Sequence, residues 1–312
     1  MTGGAGFIGS HVVDQLKAKG FKVITLDDLS AGRRDNLSSD VPLKVKSVAD
    51  ITKEDVEGFD FIIHCAAQVS TFWSVDYPEE DFKSNALSTF HLFETCRKHN
   101  DDVLIVYTSS RSVHGDIPEP SLADESFPFK PSTFYNVHKI YGELLCEIYS
   151  HLYGMRFIIL RPSNVYGPRQ PYWMEGWYNF ISFWIKQALE NEPIPIYGSG
   201  EQIRDYTYVD DTARAYVLAL ESSRAIDEVF LLPTSRGVSL NELANIIIKL
   251  TNSKSRKNYL PPRKGDIMRF VGSYKKAKEI LGWEPLISLE EGLKREVEWV
   301  RQELVHKGGE FW

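Results

Sequence analysis

Tyr135 and Lys139 stand four apart in Tyr135-Asn136-Val137-His138-Lys139, inside a stretch, Ser132–Tyr153, that reads as a helix opened by a Ser132 cap. Side chains at this spacing share a helical face, so a phenol and an ammonium come together. A free phenol, with a pKa of about 10, keeps its proton near neutrality and is no base. Neighbouring positive charge favours the phenolate and brings it into working range. Such a phenolate can take the proton of a substrate hydroxyl while a hydride leaves the same carbon. Ser110, directly after the strand-like run Val103–Ser109, is placed to hold that oxygen. Tyrosine–lysine pairs also occur on ordinary exposed helix faces, so the surrounding elements must carry the argument.

A departing hydride needs an acceptor, and the start of the chain offers a place for one. Thr2-Gly3-Gly4-Ala5-Gly6-Phe7-Ile8-Gly9 fits a dinucleotide-binding turn. In such a turn Gly3, Gly6 and Gly9 let backbone approach a pyrophosphate, and Phe7 and Ile8 begin the helix whose N-terminus faces its charge. Eighteen residues after Gly9, Val23-Ile24-Thr25-Leu26 ends in Asp27. A carboxylate there suits both ribose hydroxyls and repels a 2′-phosphate, which predicts NAD over NADP. Arg33 and Arg34 nearby leave room for the phosphate. Asp50-Ile51 is expected to close the third strand and meet the adenine. Ala66 and Ala67 close the fourth, where small residues allow backbone contact with the cofactor. His64 before them reads as a satisfied core histidine. The oxidised nicotinamide would add positive charge beside Tyr135, and Lys139 would hydrogen-bond its ribose.

These pieces need a scaffold, and the pattern predicts one. Strand-like runs at Lys22–Asp27, Leu43–Val48, Asp60–His64, Val103–Ser109 and Arg156–Arg161 alternate with helix-like stretches at Ile8–Lys19, Ser84–His99 and Ser132–Tyr153. This alternation predicts an α/β, Rossmann-like doubly wound parallel sheet. After Pro162 come an aromatic stretch, a turn region at Pro193–Gly200, a strand-like run at Glu228–Leu232, and helices near Ser239–Leu250 and Leu289–Glu303. We expect a cofactor domain over residues 1–165 and a smaller α/β substrate domain over 166–312, with a segment of about 205–235 returning to the first. One element is out of place: Met1 alone precedes the turn, so the central first strand is expected to be missing.

Composition narrows the partners. The 312 residues are 43% hydrophobic, enough for a sizeable core, and carry 36 basic against 43 acidic side chains for a net charge of −7. With no basic block, nucleic acid and anionic membrane are excluded as main partners. No apolar run reaches the length of about 18 residues needed to span a bilayer. Cys65, Cys96 and Cys146 read as free thiols of a reducing, cytoplasmic setting. The eight histidines show no paired ligand spacing, so no metal site is expected.

Longer motifs give a resemblance that covers nearly the whole chain. Besides the residues above, they are Asn85, the run Arg161–Gln170, the run Gln202–Asp211 with Ile203-Arg204-Asp205-Tyr206, Pro262-Arg263-Lys264-Gly265-Asp266, and Leu281-Gly282-Trp283-Glu284-Pro285. The chain resembles the NAD-dependent epimerase/dehydratase family of extended short-chain dehydrogenases/reductases, most of all the branch that acts on UDP-glucose and UDP-galactose. The resemblance implies Ser110, Tyr135 and Lys139 as catalytic residues and Asn85 at the cofactor. It implies Asn164, Arg204 and Arg263, with Asp266, at the diphosphate of a nucleotide sugar, and a guanidinium fork suits phosphate. It also implies a homodimer through the helices near Ser84–His99 and Ser132–Tyr153.

Departures from the family pattern sharpen the expectation. His114 stands where tyrosine is usual. After Ser110, where dehydratases and decarboxylases carry acids, the chain has Arg111 and Ser112, which discounts elimination and decarboxylation. The stretch Pro171–Tyr178, with Tyr172, Trp173, Trp177 and Tyr178, is expected either to shape specificity or to form an aromatic core seam. The expected activity is 4-epimerisation through a transient 4-keto sugar. A nucleotide-sugar reductase or dehydratase of the same family, and an NAD-binding protein without turnover, stay open as alternatives.

Overall fold

The computed structural model describes residues 1–171 and 180–306. Thr2–Gly6 turns into α1 (Phe7–Ala18), followed by β1 (Thr25–Asp27), β2 (Leu43–Val45) and β3 (Phe61–His64). Two short helices, α2 (Trp73–Asp76) and α3 (Pro78–Asp81), lead through a π-helical segment, Phe82–Leu87, into α4 (Ser88–His99). Then come β4 (Leu104–Thr108), α5 (Phe134–Tyr153), β5 (Arg156–Pro162), β6 (Asn164–Tyr166), α6 (Phe180–Leu189), β7 (Ile194–Tyr197) and β8 (Ile203–Tyr208). The remainder is α7 (Val209–Glu221), β9 (Glu228–Leu232), β10 (Gly237–Ser239), α8 (Leu240–Thr251), β11 (Lys257–Leu260), α9 (Lys275–Leu281) and α10 (Leu289–His306).

The main sheet is wholly parallel. β3, β4, β5 and β9 pair in that order, and β1 pairs with β2. The slot between β1 and β3, where the first strand was expected to be missing, is filled by Met1–Gly3. Thr2 bridges Leu26 on one side and His64 on the other. Four backbone bonds of 2.8–3.1 Å join these residues to Leu26, Ile63 and Cys65, and the Met1 amine donates to the Ile24 carbonyl at 2.7 Å. Burial lowers that amine to about 6. The ladder groups that face the turn therefore have partners, as burial requires.

Both faces of the sheet are covered. Val12 and Leu16 of α1 with Ala213, Tyr216 and Val217 of α7 pack on one, and Leu92, Phe93 and Cys96 of α4 with Cys146 and Tyr149 of α5 pack on the other. This is the doubly wound α/β arrangement. A second core forms where α6, α8 and α10 pack over β6, β7, β8 and β10. Here β10 runs antiparallel to β8, β6 runs parallel to it, and β11 pairs with β7. Three local expectations are corrected. The α5 cap is Thr133, not Ser132, because Asn136 Oδ1 accepts the backbone N–H of both residues and draws the helix start one residue later. The third strand ends at Val45, so Asp50 and Ile51 sit on and after the 3₁₀ turn Val48–Asp50. The helix near Ser84 begins as a π-helix, a form frequent near functional sites.

Among the described residues no helix is long and apolar enough to cross a membrane, and no group of three His, Cys, Asp or Glu could hold a metal. The three cysteines are free thiols.

A buried acid of α10 sits in the second core. Glu296 of α10 is fully buried and meets Ser182 of α6, whose hydroxyl also reaches Gln170 Oε1 at 3.0 Å. Burial raises the carboxyl from 4.5 to about 8, although the Ser182 hydrogen bond works against it. A group whose folded pKa is raised takes up a proton on folding, so its contribution to stability is complete below about 4.5 and is lost as pH climbs to about 8. Glu296→Gln should therefore gain on the wild type in thermal midpoint between pH 5 and pH 8 (about that window). Parallel midpoint–pH profiles for the two proteins would contradict this.

Candidate active site

Helix α5 brings Tyr135 and Lys139 to the carboxyl end of β4 because Gly142 lets it lie close. A Cβ at Gly142 would stand 2.2 Å from the Tyr107 hydroxyl of β4. The Lys139 ammonium donates to the Thr108 carbonyl at 2.9 Å and lies 5.8 Å from the centre of the Tyr135 ring. Both side chains are buried. Burial lowers Lys139 to about 8 and pushes the Tyr135 phenol well above its ordinary value. Two groups pull that phenol back down, a hydrogen bond with Ser110 and the positive charge of Arg111, while Asp81 opposes them. The expected ammonium does stand beside the phenol; it is also directed to a strand-end carbonyl, and Arg111 adds a further positive charge that favours the phenolate.

The Ser110 turn is tied to α5. Ser110 Oγ accepts the N–H of Ser112 and lies 2.8 Å from its hydroxyl, and Asn136 Nδ2 donates to Ser112 Oγ at 2.9 Å. Asn136 thus fixes the helix start and the serine turn together, a role the sequence did not disclose. Beneath them Glu143 accepts from Ser109 and from Arg161, whose Nη1 also donates to His114. Burial keeps His114 neutral, near 4, so it can accept from that cation. On the other side His138 Nδ1 meets the buried Asp81 at 2.5 Å, and Asp81 accepts from Asn85 at 2.9 Å.

At the cofactor end the glycines are required by contact. Gly3 has φ +68°, and a Cβ there would stand 2.5 Å from the Ala66 nitrogen; one on Gly9 would stand 2.0 Å from the Gly3 carbonyl. Gly6 has only a 3.3 Å contact and follows the turn without steric compulsion. Ala66 therefore sits against the glycine turn that leads into Phe7 and Ile8, and Ala67 follows it. Asp27 accepts from the Ala5 and Leu29 N–H groups at 2.9 Å each, and burial raises its pKa. Arg34 donates to the carbonyls of Leu37, Ser38, Ser39 and Val41. Arg33 faces Asp35 and Glu303 at 3.7 and 3.5 Å. Both guanidinium groups are therefore engaged within the protein, which weakens the NADP reading. Asn85 exchanges hydrogen bonds with the Gln68 backbone, so it shapes the loop after Ala66 and Ala67. Asp50 is exposed and Ile51 half-buried beside the Met1 slot. His64 bonds Thr2 and Thr89 and is held neutral by burial, near 3, a satisfied core histidine.

At the other end Arg204 Nη2 pairs with Asp266 at 2.6 Å, and Gln202 holds the second oxygen of that carboxylate at 3.2 Å. The Arg263 guanidinium lies over the Tyr197 and Phe72 rings, 3.5 and 4.7 Å from their centres. Asn164 Oδ1 accepts from Arg111 at 2.8 and 3.1 Å. Asn164 is thus tied to Arg111 beside Ser110, while Arg204 and Asp266 form a separate pair with Gln202. Tyr172, Trp173, Trp177 and Tyr178 lie outside the described residues. In sequence Arg111 served only to discount elimination and decarboxylation; its buried bonds to Asn164 come from a partner distant in the chain.

Residues 1–232 match the family model described as "NAD dependent epimerase/dehydratase family". The chain belongs to that family. It is 37% identical to the putative UDP-glucose 4-epimerase of Methanocaldococcus jannaschii, over 96% of this chain and 97% of the relative. Its structure superposes on the UDP-glucose 4-epimerase of Thermotoga maritima, solved with UDP-glucose, with a TM-score of 0.91, 38% identity, and 97% and 98% of the two chains covered. It also superposes on the UDP-glucuronic acid 4-epimerase of Bacillus cereus, solved with UDP-glucuronic acid and NAD, with a TM-score of 0.89, 29% identity, and 97% and 98% covered. NAD is the cofactor of the family, and the glycine turn of this member opens at the carboxyl ends of parallel strands, where such folds take their dinucleotides.

Proposed function

We propose that this chain is a 4-epimerase of UDP-hexoses that works through a transient 4-keto sugar. The carrying observation is that Tyr135 and Ser110 share one hydrogen-bonding site with no free carboxylate beside it among the described residues. Asp81 is engaged with Asn85 and His138, and Glu143 with Ser109 and Arg161. A phenol and a hydroxyl suffice to move a proton on and off one oxygen. Elimination or decarboxylation would call for a further acid, and Arg111 and Ser112 supply none. The likeness to UDP-glucose 4-epimerases makes UDP-glucose and UDP-galactose the first pair to assay.

In this reading Gly3, Gly6, Phe7, Ile8 and Gly9 present backbone N–H groups to the cofactor pyrophosphate. Asp27 turns its carboxylate to the adenine-side ribose, Ile51 and Asp50 border the adenine, and Ala66, Ala67 and Asn85 form the opposite wall. Lys139 holds the nicotinamide ribose. Asn164, Arg204, Arg263 and Asp266 fix the nucleotide-sugar diphosphate. NAD, when bound, supplies the acceptor and then the donor of the C4 hydrogen. Tyr135 takes the C4 hydroxyl proton, Ser110 holds the oxygen, and the same phenol returns the proton after the keto sugar has turned in the pocket. Interconversion of UDP-glucose and UDP-galactose by the purified protein, followed by NMR, tests this. Tyr135→Phe should lower kcat at least about 100-fold while NAD stays bound. An active Tyr135→Phe enzyme, or no interconversion of any nucleotide sugar, would overturn the reading.

We also propose a homodimer. Val137, Leu144, Ile148 and Leu152 leave an exposed apolar stripe along α5, with Phe90 exposed on α4, and such a face favours burial against a second copy. Sedimentation should give twice the 35.7 kDa chain mass, and Ile148→Glu should shift it to the single mass. A wild type that sediments as one chain would contradict this.

A further inference from the structure

Arg111 is a buried cation without an anion of its own. It follows Ser110 on the 3₁₀ turn Arg111–His114 and is 9% exposed. Nε and Nη2 donate to the neutral Asn164 amide oxygen, and the guanidinium lies 5.0 Å above the Phe270 ring. Nη1 is buried and has no partner among the described residues. The nearest carboxylates are taken: Asp266 by Arg204 and Gln202, Asp205 by Thr234 and the N–H groups of Ser235 and Gly272. The hydroxyl of Tyr206, also buried, is likewise unpartnered. Burial and the like charge of Arg204 both press against the guanidinium's own charge. An unmatched buried charge is costly, and a bound anion relieves it.

The position of Arg111 says which part of a ligand would bring that anion. Arg111 directly follows Ser110, at the Tyr135 end proposed for the reacting hydroxyl, and it is bonded to Asn164 of β6, which pairs with the β8 strand that carries Arg204 at the proposed diphosphate end. A nucleotide sugar spanning those points lays its hexose ring beside Arg111. A neutral hexose leaves the guanidinium unmatched, whereas a carboxylate at C6 supplies a full negative charge and a hydrogen-bond acceptor for Nη1. Building on the epimerase reading above, we propose that Arg111 is a specificity residue that selects a UDP-hexuronate over the neutral UDP-hexose. Arg204 and Arg263 keep the diphosphate, and Arg111 reads the sugar acid.

The test uses the NAD-loaded protein with UDP-glucuronate, UDP-glucose and UDP as probes. Epimerisation is followed by NMR and binding by calorimetry. The wild type should show kcat/KM at least about tenfold higher for UDP-glucuronate than for UDP-glucose. Arg111→Met should erase that ratio, mainly through KM for the uronate, and Arg111→Lys should restore part of it. Circular dichroism and NAD content report whether each variant is folded. A wild type that prefers UDP-glucose, or an Arg111→Met ratio equal to the wild type's, overturns the proposal. Loss of UDP affinity as large as the loss for UDP-glucuronate also overturns it, because Arg111 would then be a diphosphate anchor. Should no sugar be epimerised, the 4-epimerase reading fails by itself; the calorimetric preference for UDP-glucuronate over UDP-glucose, and its loss in Arg111→Met, still decides the role of Arg111.

Discussion

A phenol sealed away from water holds its proton, and the chemistry of this fold depends on what surrounds Tyr135. Burial raises the phenol's pKa and Asp81 raises it further. His138, set on Asp81, shares that carboxylate's hydrogen bonding, and Ser110 and Arg111 act in the opposite sense. With these groups alone the ring stays protonated near neutrality. The site is therefore poised: a further positive charge brought beside the ring tips it towards phenolate, and removal of that charge returns the proton. In the proposed reading, proton removal is in this way linked to the oxidation state of the bound cofactor.

The scaffold serves that one position. Gly142 lets α5 lie on β4, Asn136 ties the helix start to the Ser110 turn, and the Glu143–Arg161–His114 chain fixes the turn from below. None of these residues is drawn as an acid or base. They hold Tyr135, Ser110 and Lys139 in register, and small errors in such register are expensive in rate. The glycine turn and Ala66 press together at the opposite wall, so the turn and the Tyr135 end of the site are both built on the carboxyl edge of one parallel sheet.

Much of this was legible from local pattern. Glu228–Leu232 is β9 without change of boundary, and the Tyr135–Lys139 helix and the glycine turn are where spacing placed them. Features set by distant partners were not legible. Met1–Gly3 enters the sheet through backbone bonds, which no side-chain pattern signals. Asn136 moves the α5 cap by one residue through its own side-chain oxygen. Arg111 is drawn inward by Asn164, fifty-three positions away, and by Phe270. A clue existed, since an arginine follows the strand-end serine where related enzymes place acids, but it was used only to discount other reactions.

The most direct test is the titration of Tyr135 itself. Tyrosine labelled with ¹³C at Cζ, with Tyr135→Phe to assign the signal, reports phenolate formation by NMR across pH. The account predicts that the Tyr135 signal titrates at distinctly lower pH in protein loaded with NAD⁺ than in protein loaded with NADH. The same titration in both forms, or a ring that never ionises before the protein unfolds in alkali, would contradict it.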